Sequence, residues 1–396
     1  MKIAILTTFR KMPESYSLVN DVIDQIKTFK KYGHEVVFYG QVGCKGVGID
    51  CEVRATLPHF RVEKGVVNIA VKDTIVELFN KELKDFDVVI THDLMYLSGC
   101  VTYRAAIMEA NLPKVKWVHW AHSGMSGGLN LKMPRSKYIY MNYIDVDRFA
   151  KAIGVEHDDV RVVFNDKDPR LFFDWHPITY KISEKYDLFN RDIMQTYPMC
   201  STRMDAKGID HVIKTFGKLK SLDNRVMLII PNSNARRRKE EIQRKMKYAI
   251  DNGLTEEEIL FTSSLGLEHE GQVPRQVVRD LMQISNLFIF PTVSEVCSNV
   301  LLEASITKQL IVLNRDFPAL FDFGEDNKTC LSHHFGSLLQ PGFKYRTEEL
   351  YLKLAKTINQ HLLNNKINQQ FLKIKQICNI DTIYKKQLEP ILFEDY

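Results

Sequence analysis

The sequence predicts an α/β protein made of two doubly wound domains in succession. Three observations carry this reading. Short apolar runs rich in β-branched residues alternate with longer stretches of helical period, the pattern of β-α-β units around a parallel sheet. The alternation breaks near residues 174–190 and then begins again. A chain of 396 residues with 45% apolar content is long enough for two cores.

In the first series, Ile3 to Thr7 reads as a buried strand and Leu18 to Lys31 as a helix with Val19, Val22, Ile23, Ile26 and Phe29 on one face. Gly33 stops that helix before the strand Glu35 to Phe38. Strands follow at Asp87 to Thr91, Val115 to Trp120, Tyr138 to Met141 and Val160 to Phe164, and the turn-forming run Asn165 to Pro169 closes the series. Residues 174–190 lack sustained period and read as a crossing between domains. The second series has strands at Ile193 to Tyr197, Arg225 to Ile230, Ile259 to Thr262, Leu287 to Pro291 and Leu310 to Leu313. Its helices run from Ile209 to Leu219, Glu240 to Asn252, Arg275 to Gln283 and Ser298 to Thr307. From Glu348 onward the chain is helical. The expected organisation is a first Rossmann-like domain over 1–175, a linker over 176–190 and a second over 191–345. Helices over 346–396 could return to the first domain. Ligands of doubly wound sheets bind beyond the carboxyl ends of the strands, so a cleft between the domains is the expected site.

Composition narrows the class. No apolar run approaches the roughly 20 residues of a membrane helix, and the opening residues are too short for a signal-peptide core. A cytoplasmic protein is expected. The seven cysteines are odd in number, scattered and never spaced as C-x2-C, so neither a disulfide framework nor a zinc site is indicated. A net charge of +5 is compatible with anionic ligands but is no nucleic-acid footprint by itself. Positive charge concentrates in Arg236-Arg237-Arg238-Lys239, with Arg244, Lys245 and Lys247 following at helical spacing. Glu240 and Glu241 interrupt the run, which reads as a solvated helix face, with phosphate attraction as the alternative.

The strongest local signal spans Phe288 to Ala304, where a buried strand ends at Pro291, a polar loop carries Glu295, and a helix capped by Ser298 or Asn299 carries Glu303. The start of such a helix offers backbone N–H groups and a positive dipole end to a diphosphate. Cys297, Ser298, Asn299 and Val300 are the candidate contacts there. The two carboxylates would repel phosphate, but they can accept hydrogen bonds from hydroxyls on either side of it. Upstream, Tyr197 to Asp210 places Arg203 and Lys207 at a strand-to-helix turn. A planar guanidinium and a mobile ammonium together suit a leaving diphosphate.

These two segments resemble the retaining GT-B glycosyltransferases of family four. Glu295 and Glu303 stand in the family's E-x7-E pattern, and Arg203 with Lys207-Gly208 resembles its Arg…Lys-Gly segment, here with a spacing of four where five is commoner. The resemblance implies two Rossmann-like domains, with Arg203 and Lys207 on the phosphates, Glu295 on the donor sugar and Glu303 on the ribose. It also implies a UDP-sugar as the commonest donor, same-face attack, and no metal or other cofactor. In the first domain His122, just past the strand Val115 to Trp120, stands where the family has a histidine near the transferred sugar. His119, inside that strand, reads as a core histidine. His92 and Asp93 could meet acceptor or sugar, and Asn165 to Asp168 resembles the family's Asn-x-x-Asp. The loop after the first strand departs from the family: it lacks the Gly-Gly pair and offers Arg10 and Lys11 instead.

Catalysis is expected of Glu295, His122, Arg203 and Lys207. The acceptor is an unspecified hydroxyl. A hydroxylated base in DNA belongs among the options, because the basic run and the Lys/Asn/Ile-rich composition resemble phage-encoded transferases. Two readings from other classes are a nucleotide-sugar epimerase and a non-catalytic nucleotide-sugar-binding protein.

Overall fold

Strand residues of alternating direction bury both faces of a parallel sheet in the first unit. The computed structural model describes residues 1–13, 15–59, 65–122, 128–266, 272–295, 298–325, 328–337 and 347–396. It divides into one unit of Met1–Asp168 with Ile377–Tyr396, and a second of Pro169–Gln376.

The strands of the first unit are β1 (Lys2–Leu6), β2 (Glu35–Gln41), β3 (Glu52–Leu57), β4 (Val88–His92), β5 (Lys116–Trp120), β6 (Ser136–Tyr140) and β7 (Val160–Val162). They pair in the order β3-β2-β1-β4-β5-β6-β7, parallel throughout. Helices α1 (Ser17–Lys31), α2 (Ile69–Glu82), α3 (Val101–Glu109) and α4 (Val146–Ile153) cross between them. On one face Ile3, Ile5, Phe38, Val88 and Ile90 pack with Val22, Ile26 and Phe29 of α1. On the other, Ala4, Leu6, Val89 and Trp117 pack with Phe79 of α2, Tyr103 of α3 and Phe149 of α4. Each buried aromatic or aliphatic side chain is worth about 1.5–3 kcal/mol over exposure, so both faces of the sheet hold the unit together. The C-terminal segments α13 (Ile380–Ile383) and α14 (Glu389–Phe393) add Ile383 and Ile391 to the α1 face.

The second unit opens with α5 (Pro169–Phe172) and α6 (Pro177–Lys185). Residues 174–190 thus hold a helix where the sequence shows no sustained period. Only Thr179, Ile182 and Ser183 of α6 are buried, so two polar residues share the covered face and the apolar stripe is missing. The strands are β8 (Ile193–Thr196), β9 (Met199–Cys200), β10 (Val226–Ile230), β11 (Asn232–Ser233), β12 (Ile259–Phe261), β13 (Leu287–Phe290), β14 (Leu310–Asn314) and β15 (Leu331–His333). The helices are α7 (Ile209–Lys220), α8 (Lys239–Asp251), α9 (Arg275–Ile284), α10 (Asn299–Ile306), α11 (Glu348–Asn364) and α12 (Lys366–Ile377). Two three-stranded parallel ladders form, β12-β10-β8 and β13-β14-β15, beside the short parallel pair β11-β9.

Side chains join these ladders. Gln195 in β8 donates from Nε2 to the Ile289 carbonyl (2.9 Å) and accepts at Oε1 from the Ile289 amide (2.9 Å), replacing a backbone rung. One residue earlier in β8, the Met194 amide donates to Asn286 Oδ1 (3.0 Å). Counted along the chain without the short β9 and β11, the joined strand order is 3-2-1-4-5-6, and it reverses between β8 and β13. No helix of the described residues is long and apolar enough to cross a membrane.

Candidate functional site

The reversal between β8 and β13 puts two loops side by side at the carboxyl end of the second sheet. In doubly wound sheets that crevice is where ligands bind. The first loop runs from β8 through a 3-10 turn, Ser201–Arg203, to Gly208 before α7. Gly208 sits at φ +68°, and a Cβ there would come within 2.8 Å of Pro291. Both the left-handed backbone and the close approach require glycine. The second loop follows β13, and the Val293 amide donates to the Ala206 carbonyl (3.1 Å), which stitches the two together.

Arg203, Lys207 and Glu295 therefore converge. The Lys207 ammonium donates to Oε2 of Glu295, lies 5.3 Å from the Phe290 ring centroid, and is only 12% exposed. Arg203 is exposed and donates to the Ser294 carbonyl (3.2 Å). A guanidinium and an ammonium on one loop, faced by a carboxylate on the next, can hold an anion and a hydroxyl-bearing group side by side.

Three residues outside the sequence expectation shape this crevice. The Tyr197 hydroxyl donates to the Lys207 carbonyl (2.7 Å). The buried Asn314 holds the Thr292 carbonyl (3.1 Å) and the Gly336 carbonyl (2.8 Å). Asn232 donates to the hydroxyls of Ser201 (3.1 Å) and Ser263 (3.0 Å). Tyr197 is adjacent to a strand end and was legible as a candidate; the two asparagines carry no local signal.

Ser298 rather than Asn299 caps α10, its Oγ accepting from the Leu301 amide (3.3 Å). Asn299 is exposed and Val300 half-buried at the helix start, while Cys297 lies outside the described residues. Glu303, in the second turn, pairs with Arg275 at the start of α9 (3.5 Å), a partner the sequence did not indicate. The pair borders a largely apolar cavity of about 360 Å3 between α9 and α10, which also meets Met282 and Ile306.

Lys245 leaves the basic face proposed for α8. Its ammonium is buried and donates to Asp205 (2.7 Å) and Asp210 (2.8 Å). Of the other cations of the run, Arg236, Arg238, Lys239 and Arg244 line an open cavity of about 620 Å3 with Glu240 and Glu241; Lys247 is not in its lining, and the Arg237 side chain lies outside the described residues. The Cys200 thiol is pulled down to about 7, chiefly by its hydrogen bond with Thr202.

In the first unit, His92 at the end of β4 and His122 after β5 meet directly, Nδ1 to Nε2 at 2.8 Å. Burial pushes both below the ordinary imidazole value, His92 well below it. Asp93, at φ +59°, accepts from the His122 amide (2.9 Å), and burial raises its carboxyl. His119 is wholly buried in β5, bonded through Nδ1 to Thr91 (2.9 Å), and depressed to about 3 by burial. It is a core histidine. Asn165 donates to Asp21 (3.2 Å), and Asp168 accepts from the Ile380 amide (3.1 Å), so both ends of the Asn-x-x-Asp run are engaged within the unit. Arg10 and Lys11 are exposed between the buried Phe9 and Met12. Among the described residues no group of three His, Cys, Asp or Glu side chains is gathered as a metal cluster.

No family model matches the chain, and no curated protein matches it. Solved structures to which it is similar include a glycosyltransferase from Rickettsia africae ESF-5, at 16% identity over 100% of both chains with a TM-score of 0.38. Another is Anabaena Alr3699/HepE in complex with UDP, at 15% identity over 99% of each chain with a TM-score of 0.35. A third is the apo form of the lipopolysaccharide outer core galactosyltransferase WaaB, at 13% identity over 99% of each chain with a TM-score of 0.37.

Proposed function

We propose that this protein is a glycosyltransferase that takes a sugar from a nucleotide-diphosphate donor, a UDP-sugar foremost, and passes it to a hydroxyl with retention of configuration. The observation that carries the reading is the meeting of Arg203, Lys207 and Glu295 at the switch point of the second sheet. In this reading Arg203 and Lys207 neutralise the departing diphosphate, with the amides at the start of α10 assisting. Glu295 orients the sugar through its hydroxyls, and Glu303 holds the ribose. His122 meets the sugar, and Asp93, Arg10 and Lys11 stand as its companions on the acceptor side; His92, expected there from the sequence, is instead buried with both ring nitrogens engaged and reaches the sugar only through His122. The bond from the sugar's anomeric carbon to phosphate oxygen breaks as the acceptor oxygen attacks the same face, and the leaving phosphate takes the acceptor's proton. Two cations beside the phosphates make a metal or further cofactor dispensable, and a cytoplasmic location belongs to the same proposal.

The test is thermal unfolding across a panel of nucleotide sugars with EDTA present. A true donor at a hundredfold its Kd stabilises by about 2.7 kcal/mol. No shift with any nucleoside diphosphate sugar would remove the donor reading, and a product of opposite anomeric configuration would remove retention. Complete loss of activity in EDTA, restored by Mg2+ or Mn2+, would remove metal independence. Turnover without acceptor to an isomeric nucleotide sugar would favour an epimerase instead. A second reading of the acceptor, a hydroxylated base in DNA, is favoured by the open basic cavity at Arg236, Arg238, Lys239 and Arg244.

A further inference from the structure

A carboxamide and two imidazoles form a single hydrogen-bonded file in the first unit. Gln25 Oε1 lies 3.0 Å from Nε2 of His92, and Nδ1 of His92 lies 2.8 Å from Nε2 of His122. The three residues come from α1, the end of β4 and the turn after β5. The Trp120 ring stacks on both imidazoles, with centroids 5.6 Å and 6.5 Å away and interplanar angles of 27° and 12°. The Asp93 carboxylate pins the His122 backbone amide. Tilting either ring out of its plane would break the file and the stack together.

A neutral imidazole offers one N–H donor and one bare nitrogen acceptor. Burial keeps both histidines below their ordinary value, so each carries one ring proton at neutral pH. A carbonyl oxygen can only accept. Nε2 of His92 therefore donates to Gln25, its Nδ1 is the acceptor, and Nε2 of His122 must supply the shared proton. Nδ1 of His122 is then bare, and it has no hydrogen-bond partner among the described residues.

We propose that Gln25 and His92 are positioning residues that lock His122 in its Nε2–H form, so that its unprotonated Nδ1 accepts a hydrogen bond from a substrate hydroxyl. The proposal rests on the glycosyl-transfer reading only for the source of that hydroxyl. A Gln25 amide turned the other way would reverse every bond in the file and make His122 Nδ1 a donor, which is the alternative to be tested.

The experiment is a 15N–1H correlation of the histidine ring nitrogens in the 15N-histidine-labelled full chain at neutral pH, with His92→Gln and His122→Gln used to assign signals. The expected wild-type result is a protonated Nε2 and a bare Nδ1 at His122. Gln25→Met, which keeps the chain length but lacks the carbonyl acceptor, should give a mixture of tautomers at both rings. A proton on Nδ1 of His122 in the wild type overturns the proposal, as does an unchanged single tautomer in Gln25→Met. The wild-type spectrum decides the first point even if the variant does not fold. None of these readings needs turnover. The expected tautomer in a chain that transfers no sugar upholds the lock and sinks glycosyl transfer; a reversed tautomer in an active enzyme does the opposite.

Discussion

Lys207 and Glu295 form an ion pair across 88 residues of sequence, closing the loop after β8 onto the loop after β13. Under the proposed function, diphosphate and sugar both compete for this pair. Lys207→Met should weaken UDP binding by about 1–3 kcal/mol through the lost charge-assisted hydrogen bond. Glu295→Gln should do the reverse for UDP alone, tightening it by up to about 1 kcal/mol because the ammonium is released, while turnover of the UDP-sugar falls. Calorimetric titration with UDP, set beside turnover, checks both. Weaker UDP binding in Glu295→Gln would mean that the carboxylate supports the phosphate site rather than the sugar.

Glu303 faces Arg275, whose side chain is 91% exposed, so the pair alone contributes little to stability. Glu303→Ala should nonetheless weaken nucleotide binding by about 1–3 kcal/mol if its carboxylate receives the ribose hydroxyls. Arg275→Ala is the control and should leave affinity nearly unchanged. Equal losses in the two variants would reduce Glu303 to a partner of Arg275.

Asp166 ties folding to pH. It is buried beside Asp24 and Lys167, with Thr28 donating to it (3.2 Å), and burial raises its carboxyl to about 7. The native chain then keeps a proton that the unfolded chain releases near the ordinary Asp value. The sign follows: this contribution to stability is complete below about pH 4 and is lost as pH rises through about 7. Asp166→Asn should flatten that decline, by an amount on the order of a few kcal/mol between the two ends. Urea unfolding from pH 4 to 8 checks it, and parallel curves for variant and wild type would exclude Asp166 as the titrating group.

Much of this architecture is legible in the sequence because parallel strands buried on both faces leave continuous apolar runs. Ile3, Val226 and Leu287 each start such a run, and strands lie at all three places. Strand β3 and helix α2 escaped for one physical reason, which does not extend to the short α4, whose stripe Val146, Phe149, Ala150 and Ile153 is complete. Strand β3 is half-exposed along most of its length, and α2 buries only Ile75 and Phe79, so neither shows a full stripe. The site divides in the same way. Glu295 and Lys207 announce themselves by the strand ends they follow, whereas Asn314, Gln25 and Arg275 act through partners brought near only by folding. Lys245 is the clearest case: its period along α8 places it with the solvated cations, yet Asp205 and Asp210, 40 and 35 residues away, draw it into the interior.

That burial changes the prediction for the basic run. If the acceptor is a base in duplex DNA, backbone phosphates must meet cations outside the donor loops, and Arg236, Arg238, Lys239 and Arg244 line the open cavity that could receive them. Lys245 belongs to the fold instead, so Lys245→Ala should destabilise the second unit, leaving two carboxylates facing each other. An Arg236/Arg238/Arg244→Ala variant should keep its stability and its donor hydrolysis. Each phosphate contact it loses should flatten the dependence of log K on log salt by roughly 0.9. Reaching a hydroxyl on a stacked base would also require that base to leave the helix, so a mismatched site should bind more tightly than a paired one. Affinity for a modified duplex, measured at several salt concentrations with wild type and variant side by side, decides the matter. Identical slopes would dismiss this face as the contact, and an absence of wild-type binding at low salt would dismiss DNA as the acceptor.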